Sequence, residues 1–270
     1  MQQRFDVELD NVSMASLADE IIVRDIIEEP ANMRIDTVLR GNRPGTRVEQ
    51  NIRQSLSVRV VYRIRTQNIV RRAEVRDVIA AWCANGGELN INTRPGKRLF
   101  VIPTSLPAVN SGLKWDQDLA LVFTAYEQPY WEDKSVTSVG GTVKKYDDGS
   151  HYFADVIRPV CSVDRVPVTA NITITGEDDL AELRIKCGDT VFEFVGMQIS
   201  SGGYISISYD KNDLLSVVDF MSLEGDGSLL KYRTAQSNDD LLAVSNQDNQ
   251  IIITANTELR VQVHARGRWV

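Results

Sequence analysis

Ten residues, 56–65, place apolar side chains at every second position, and this pattern constrains the fold more than any other single feature. One set is Leu56, Val58, Val60, Tyr62 and Ile64, and the other is Ser57, Arg59, Val61, Arg63 and Arg65. Successive side chains of a strand point to opposite faces of a sheet. The alternation therefore predicts a β-strand with one buried face and one polar face that carries three arginines.

The residues that follow change to a helical period. Val75, Val78, Ile79 and Trp82 recur at the spacing of one helix face, which predicts a helix of about three turns from about residue 71. The sequence Asn85-Gly86-Gly87 then favours termination of the helix by a residue in the left-handed conformation. Short strands are predicted at residues 5–9, 20–26, 89–93, 98–102 and 119–126. The first half is expected to be an α+β unit, a β-barrel-like sheet with one helix.

The second half repeats short alternating segments and contains no helical period. They lie at residues 168–175, 183–187, 191–195, 204–209, 216–221, 240–244, 250–255 and 259–266. Turn residues separate them at intervals typical of a β-sandwich or jelly roll. Gly140-Gly141 and Asp148-Gly149 lie in a polar stretch that favours a boundary. The sequence thus predicts a mainly β protein with a domain at 1–135, a linker at 136–150 and a sandwich at 151–270.

Charge is distributed unevenly along the chain. The net charge is −7, but residues 40–76 contain ten arginines and only two acids, Glu49 and Glu74. The excess of acid lies in the second half. Nucleic-acid binding requires a basic face, so this balance argues against a general nucleic-acid binder.

Export and membrane insertion are not expected from the sequence. The first ten residues lack the apolar core of a signal peptide, and no apolar run approaches the roughly 18–20 residues needed to span a bilayer. Cys83, Cys161 and Cys187 are odd in number and form no C-x-x-C motif. They are expected to be free thiols in a reducing compartment.

Motifs for catalysis or metal binding are missing. His151 and His264 are the only histidines, and the sequence has no G-x-S-x-G, Walker or G-x-G-x-x-G motif. Asp210-Lys211-Asn212-Asp213 begins like a calcium loop, but Leu215 and Met221 replace the required Gly and Glu. We therefore expect no enzyme activity, catalytic residue, cofactor or bound metal. A carboxylate pair for glycoside hydrolysis among the acids of the second half stays open.

The order of elements carries a family resemblance. Its parts are the turn Arg40-Gly41-Asn42-Arg43-Pro44-Gly45, the arginine-bearing strand, the helix ending at Trp82, the hairpin at 89–99 and the strand at 119–126. Residues 205–209, 249–253 and 265–270 extend the match into the second half. This arrangement resembles the distal tail protein family of long-tailed siphophages and related prophages, whose second domain is a galectin-like sandwich.

The resemblance implies a structural virion component. Such proteins form a hexameric ring at the phage tail tip, or baseplate, and are assembled in the bacterial host cytoplasm. The ring joins a tail-tube protein to a tail-associated hub protein and presents its sandwiches to receptor-binding proteins. Under this hypothesis Arg59, Arg63 and Arg65 line a ring surface or channel, or pair with acids of a neighbouring subunit. The alternative is a solvated sheet face.

A different class of function also fits the sequence. The sandwich would be a carbohydrate-binding module that attaches the particle to a host surface polysaccharide or other glycan. Trp115, Tyr126, Tyr130 and Trp131 would then form a stacking platform, although the same residues suit packing near the domain junction. A third interpretation is an accessory domain of a glycosidase or esterase.

Overall fold

The chain folds into two compact units. The structure, a computed structural model, describes residues 5–31, 33–39, 46–106, 117–147, 149–163, 165–209, 215–219, 228–237 and 241–270. The first unit comprises Met1–Glu132 with Val270, and the second comprises Asp133–Trp269. The described residues form 21 strands, one α-helix and two short 3-10 helices, which confirms the predicted mainly β class.

The first unit is an antiparallel sheet with one helix. Its strands are β1 (Val7–Leu9), β2 (Val12–Ser13), β3 (Ile21–Glu29), β4 (Met33–Leu39), β5 (Thr46–Arg53), β6 (Leu56–Ile64), β7 (Gly87–Ile91), β8 (Lys97–Ser105), β9 (Leu119–Ala125) and β10 (Trp131–Asp133), which spans the division between the units. The helix is α1 (Ile69–Cys83), and a 3-10 helix covers Met14–Ser16. The sheet order is β2-β1-β7-β8-β9-β6-β3, while β4 and β5 form a separate hairpin.

Helix α1 covers one face of this sheet. Val58 of β6 is buried and pairs with Phe123 of β9, so both side chains lie on the same face. The ring of Trp82 meets Phe123 edge-on, with centroids 6.0 Å apart. Because side chains alternate along a strand, Arg59 lies on the opposite face, away from α1.

Both ends of α1 follow from local sequence. The Asn68 side chain accepts hydrogen bonds from the backbone N–H groups of Val70 at 2.9 Å and Arg71 at 3.2 Å, which caps the N-terminus. Gly86 has a φ of +67° and its N–H donates to the Cys83 carbonyl at 3.0 Å. The predicted helix and its glycine stop are confirmed, although the helix begins at Ile69.

The second unit is a curled antiparallel sheet. The strands of this sheet are β11 (Thr137–Lys145), β12 (His151–Ile157), β13 (Val166–Ile174), β14 (Leu180–Cys187), β15 (Thr190–Ile199), β16 (Tyr204–Tyr209), β17 (Leu215–Asp219), β18 (Ala243–Val244), β19 (Asn249–Ala255) and β20 (Leu259–Ala265). The unit also contains β21 (Arg268–Trp269), which is not part of this sheet, and a 3-10 helix at Leu230–Tyr232. The order is β15-β14-β19-β12-β11-β20-β13-β16-β17, and β18 pairs with β13.

The two halves of this sheet enclose one apolar core. Ile172 and Val261 come from one half, Ile185 and Ile253 come from the other, and all four are fully buried in a single cluster. The alternation of buried and outward residues along these strands produces the sandwich predicted from the sequence. No helix formed by the described residues is both long and apolar enough to cross a membrane.

The stretch predicted to be a linker, residues 136–150, forms a strand over most of its length. This stretch contains β11, which pairs residue by residue with β20 from Thr137↔Ala265 to Val143↔Leu259. Gly140-Gly141 lies inside the strand, where a Cβ added to Gly141 would overlap the ring of Phe153. The glycines therefore permit close packing within the sandwich instead of forming a turn between domains.

Candidate assembly surface

The three predicted arginines occupy different environments along β6. Arg59 is exposed in the middle of the strand, and Arg63 is half-buried near its end. Arg65 follows the strand and is exposed, and its backbone N–H donates to the Glu20 carbonyl at 2.8 Å. The sequence thus placed Arg59 and Arg63 on the correct face of the sheet.

Arg63 pairs with an acid of its own chain. Its Nε donates to Oδ1 of Asp118, and its Nη2 donates to Oδ2 of the same carboxylate at 3.2 Å. Two parallel hydrogen bonds of this kind fix the orientation of both groups. The bonded guanidinium also holds the pKa of Asp118 below its usual range. The charge of Arg63 is therefore neutralised within the first unit.

Arg59 has apolar neighbours. In the strand register it lies opposite Ile27 of β3 and Val122 of β9. Among the residues that the structure describes, it forms no ion pair. An arginine is amphipathic, since its alkyl stem packs on apolar surface while the guanidinium stays in water. Arg59 consequently presents an unneutralised cation above partly exposed aliphatic side chains.

The apolar surface extends from Arg59 across the sheet. Ile27 is 40% exposed, and Phe100 and Ile102 of β8 are 39% and 49% exposed. Ile102 pairs with Thr124, which pairs with Ser57, so these residues lie on the Arg59 side of the sheet. We call this surface the outer face, defined by Ile27, Arg59, Phe100, Ile102 and Val122. Clustered exposed apolar residues with an arginine are typical of protein interaction sites.

Two arginines of helix α1, Arg71 and Arg72, have partners within the chain. Arg71 donates to Glu20 at 2.8 Å and to Glu74 at 3.3 Å. These contacts raise the pKa of Arg71, and the hydrogen bond lowers the pKa of Glu20. Arg72 is buried and donates to the Thr66 carbonyl at 2.7 Å. The turn predicted at Arg40-Gly41-Asn42-Arg43-Pro44-Gly45 lies outside the described residues.

The predicted aromatic platform is not formed as a set. Trp131 is completely buried, with the Arg94 guanidinium 5.4 Å from its ring centroid. Tyr126 is exposed and Tyr130 is half-buried, while Trp115 lies outside the described residues. Because a buried ring cannot stack on a sugar, Trp131 does not contribute to such a platform.

The residues considered for catalysis or metal binding remain isolated. Nδ1 of His264 bonds to the hydroxyl of Ser138 at 2.8 Å, and no carboxylate in the described ranges contacts the other ring nitrogen. His151 is the first residue of β12 and pairs with Lys145. Groups of three or more His, Cys, Asp or Glu that could hold a metal do not occur among the described residues. The calcium-like segment Asp210-Lys211-Asn212-Asp213 falls outside them.

The fold described above, an α+β unit with one helix followed by a curled antiparallel sandwich, is similar to that of a solved phage protein. The SPP1 Dit protein, described as a paradigm of the hub adsorption apparatus in phages that infect Gram-positive bacteria, matches with a TM-score of 0.68 at 10% identity. The match covers 98% of this chain and 99% of that one. The expected resemblance is thereby confirmed for the fold.

Two further matches come from the phage P2 baseplate in its activated conformation. The structure with Ca has a TM-score of 0.46 at 7% identity, covering 97% of this chain and 98% of that one. The structure with Sr has a TM-score of 0.42 at 8% identity, covering 96% and 97%. No protein-family profile and no curated protein sequence matches the chain.

Proposed function

We propose that this protein is a structural, non-catalytic component of a long-tailed phage tail tip, where it assembles as a ring. The observation that carries this proposal is the fold agreement with SPP1 Dit over 98% of the chain. The agreement includes both units in the same order, so it extends beyond one widespread β domain. Fold alone does not define function, and the outer face supplies the second support.

The finer parts of the proposal come from the family resemblance. They are a hexameric ring, a galectin-like second unit, and a position between a tail-tube protein and the hub and receptor-binding proteins of the virion. Assembly in the bacterial cytoplasm belongs to the same proposal. A closed ring requires each chain to use two different surfaces against its neighbours. The edge strand β3 and the outer face beside it are suited to one of these contacts.

The outer face suits contact with a second copy of this chain. Covering Ile27, Phe100 and Ile102 would remove apolar surface from water, which stabilises an interface at about 25 cal/mol per Å2. Arg59 would then meet an acid of the neighbour, since a buried cation without a partner is strongly unfavourable. Arg65 follows β6 and is exposed, and in this proposal it contributes to the same contact as Arg59. Arg63 positions the strand end through Asp118.

A non-catalytic role agrees with the environment of the histidines. A nucleophilic serine requires a base that a third group orients. The Ser138–His264 pair has no carboxylate partner within the described part of the chain. The proposal therefore assigns this pair to the surface structure of the second unit.

Mass photometry and negative-stain imaging of the purified chain, alone and with its tail-tube partner, test the proposal. We expect closed particles of six chains, each chain being 30.2 kDa. Arg59→Glu should weaken ring formation at least tenfold, because it reverses the charge at the interface. Arg76→Glu is the matched control, since Arg76 lies on α1 and pairs only with adjacent Asp77 among described residues. A strict monomer with the tube protein present would overturn the ring.

A further inference from the structure

Four strands of the second unit present a polar surface on the side away from the core. They are β11, β20, β13 and β16, and their paired residues form two rows. One row is Thr142, Arg260, Thr173 and Tyr204, and the other is Gly140, Gln262, Asn171 and Ser206. The residues between them in sequence, such as Val261 and Ile172, are buried in the core.

Two shallow depressions flank β20 on this surface. Thr142, Arg260 and Gln262 line one of about 250 Å3 together with the β11 glycines. Asn171, Thr173 and Tyr204 line the other, of about 180 Å3, again with Arg260 and Gln262. Because both share the two β20 side chains, they form one groove across the strands. Their volumes correspond to about eight and about six water molecules, which is room for sugar rings.

The groove is deeper on the β11 side because Gly140 has no side chain there. Gly140 lies opposite Gln262 on the outward side of β11. A Cβ at Gly140 would come within 2.9 Å of the Val261 carbonyl oxygen. Any larger residue at this position would therefore fill the depression and press against β20.

The chemistry of the groove suits a hydroxyl-rich ligand. The amides of Asn171 and Gln262 each offer donors and an acceptor, and the hydroxyls of Thr142 and Thr173 do both. Tyr204 adds an aromatic ring with a polar end. None of the large hydrophobic residues found exposed in the described chain belongs to these four strands. Protein interfaces need an apolar centre, which this surface lacks.

Arg260 adds a charge preference. It is exposed in the middle of the groove and forms no ion pair with any residue that the structure describes. No acid occurs in either row. An arginine without a carboxylate partner binds carboxylate or phosphate groups through its planar guanidinium.

We propose that this groove binds a polysaccharide bearing carboxylate or phosphate groups. Arg260 binds the anionic group, the amides and hydroxyls pair with sugar hydroxyls, and Tyr204 packs against a ring. All of these residues belong to one unit of one chain. The proposal therefore goes beyond the assembly role and does not depend on ring formation.

Binding is measured by isothermal titration of the full chain with four probes. Polygalacturonate oligomers carry carboxylates and phosphomannan carries phosphates, while methyl-esterified polygalacturonate and neutral mannan are their uncharged counterparts. We expect at least one anionic probe to bind at least tenfold more tightly than its neutral counterpart, and the preference to shrink as salt rises. Comparing the affinities of the two anionic probes shows whether the groove prefers carboxylate or phosphate groups.

Variants locate the binding in the groove. Arg260→Gln should reduce affinity for the anionic probe at least tenfold, and Gly140→Val should abolish binding by filling the depression. Arg184→Gln is the matched control, because Arg184 is an exposed arginine on β14 of the other half of the sheet. It should bind like the wild type. Circular dichroism checks that each variant is folded. If Gly140→Val does not fold, the loss of affinity in Arg260→Gln is sufficient to locate the binding site.

Several outcomes would overturn the proposal. They are no binding of any probe, equal binding of charged and neutral probes, or equal loss in Arg260→Gln and Arg184→Gln. The proposal would also be overturned if a protein partner covered this surface in assembled tails and the chain bound no glycan. A monomeric chain that binds the anionic probe would support the groove while overturning the ring, so the two proposals fail separately.

Discussion

Arg59 and Arg63 lie on the same face of β6 but differ in what their guanidinium groups contact. Arg63 reaches Asp118, the residue just before β9, whereas Arg59 lies opposite Ile27 and Val122. Cross-strand neighbours therefore decide whether a charge on a strand stabilises the chain itself or is left for a partner. At the scale of single residues, Arg63 is paired within the chain, whereas Arg59 forms no ion pair with any residue that the structure describes.

The Arg63–Asp118 pair gives a prediction at this scale. Arg63→Gln should raise the pKa of Asp118 toward its ordinary value of 3.8, because it removes the guanidinium that stabilises the carboxylate. A carbon-13 NMR titration of the Asp118 carboxyl measures the change. Arg65→Gln is the control and should leave this pKa as in the wild type. An Asp118 pKa at or above its ordinary value in the wild type would contradict the pairing.

The same pair has a defined effect on stability against pH. The pKa of Asp118 is lower in the folded chain than in the unfolded chain, so the folded state binds this proton less readily. The contribution to stability is therefore present above the unfolded pKa of about 4 and is lost as pH falls through the folded pKa. Arg63→Gln should reduce the difference in stability between neutral and acidic pH.

At the scale of elements, the N-terminal cap of α1 can be tested directly. Asn68→Ala removes the acceptor for the Val70 and Arg71 N–H groups and should destabilise the first unit by about 1 kcal/mol. Urea unfolding followed by circular dichroism measures the loss. Asn68→Asp keeps an acceptor and should be nearly neutral, as should Gln67→Ala beside it. Equal losses in Asn68→Ala and Asn68→Asp would show that the cap does not stabilise the helix.

The sequence predicted elements that bury one face and missed those that do not. β6 and α1 were predicted because their apolar residues recur at a fixed period and are buried. The β4–β5 hairpin was missed, and its described apolar residue Ile35 is 57% exposed and not buried as one face of an alternating strand would be. β12 was missed because Val156 is 52% exposed and leaves no clean alternation. In β11, glycines that allow close packing were interpreted as turn residues.

The candidate surfaces were only partly predictable for a related reason. The face that carries Arg59 followed from alternation within one strand. The partner of Arg63 could not be predicted in this way, because Asp118 is 55 residues away in the sequence and no local pattern connects the two. The groove is lined by a few residues from each of four strands, between Gly140 and Gln262 in the sequence, and no pattern within a single strand marks them. Only the register of the sheet brings them together.

At the scale of the whole molecule, each unit has its own core and contains a buried thiol. Cys83 is buried in the first unit and Cys187 in the second, while Cys161 is half-buried. The three cysteines form no disulfide bond with one another. Burial raises the pKa of Cys187 to about 12 and also raises that of Cys83.

The thiols therefore report on the integrity of both cores. In the native chain at pH 8, only Cys161 should react rapidly with a disulfide reagent, because the thiolate is the reactive form and the other two are buried. Spectrophotometric counting should give one rapid thiol in the native state and three in denaturant. Cys161→Ser should remove the rapid phase. Two or more rapid thiols in the native chain would contradict the packing of at least one unit.

The position of β19 and β20 affects how the second unit can form. β19 lies between β12 and β14, and β20 lies between β11 and β13, so the middle of each half of the sheet comes late in the chain. At ~5–20 residues per second, a ribosome needs roughly 6–25 s to make the residues from β11 to β20. During that time the earlier strands have open edges and uncovered apolar faces. Folding of this unit must therefore follow its translation, and the nascent chain passes through an interval in which it is vulnerable to aggregation.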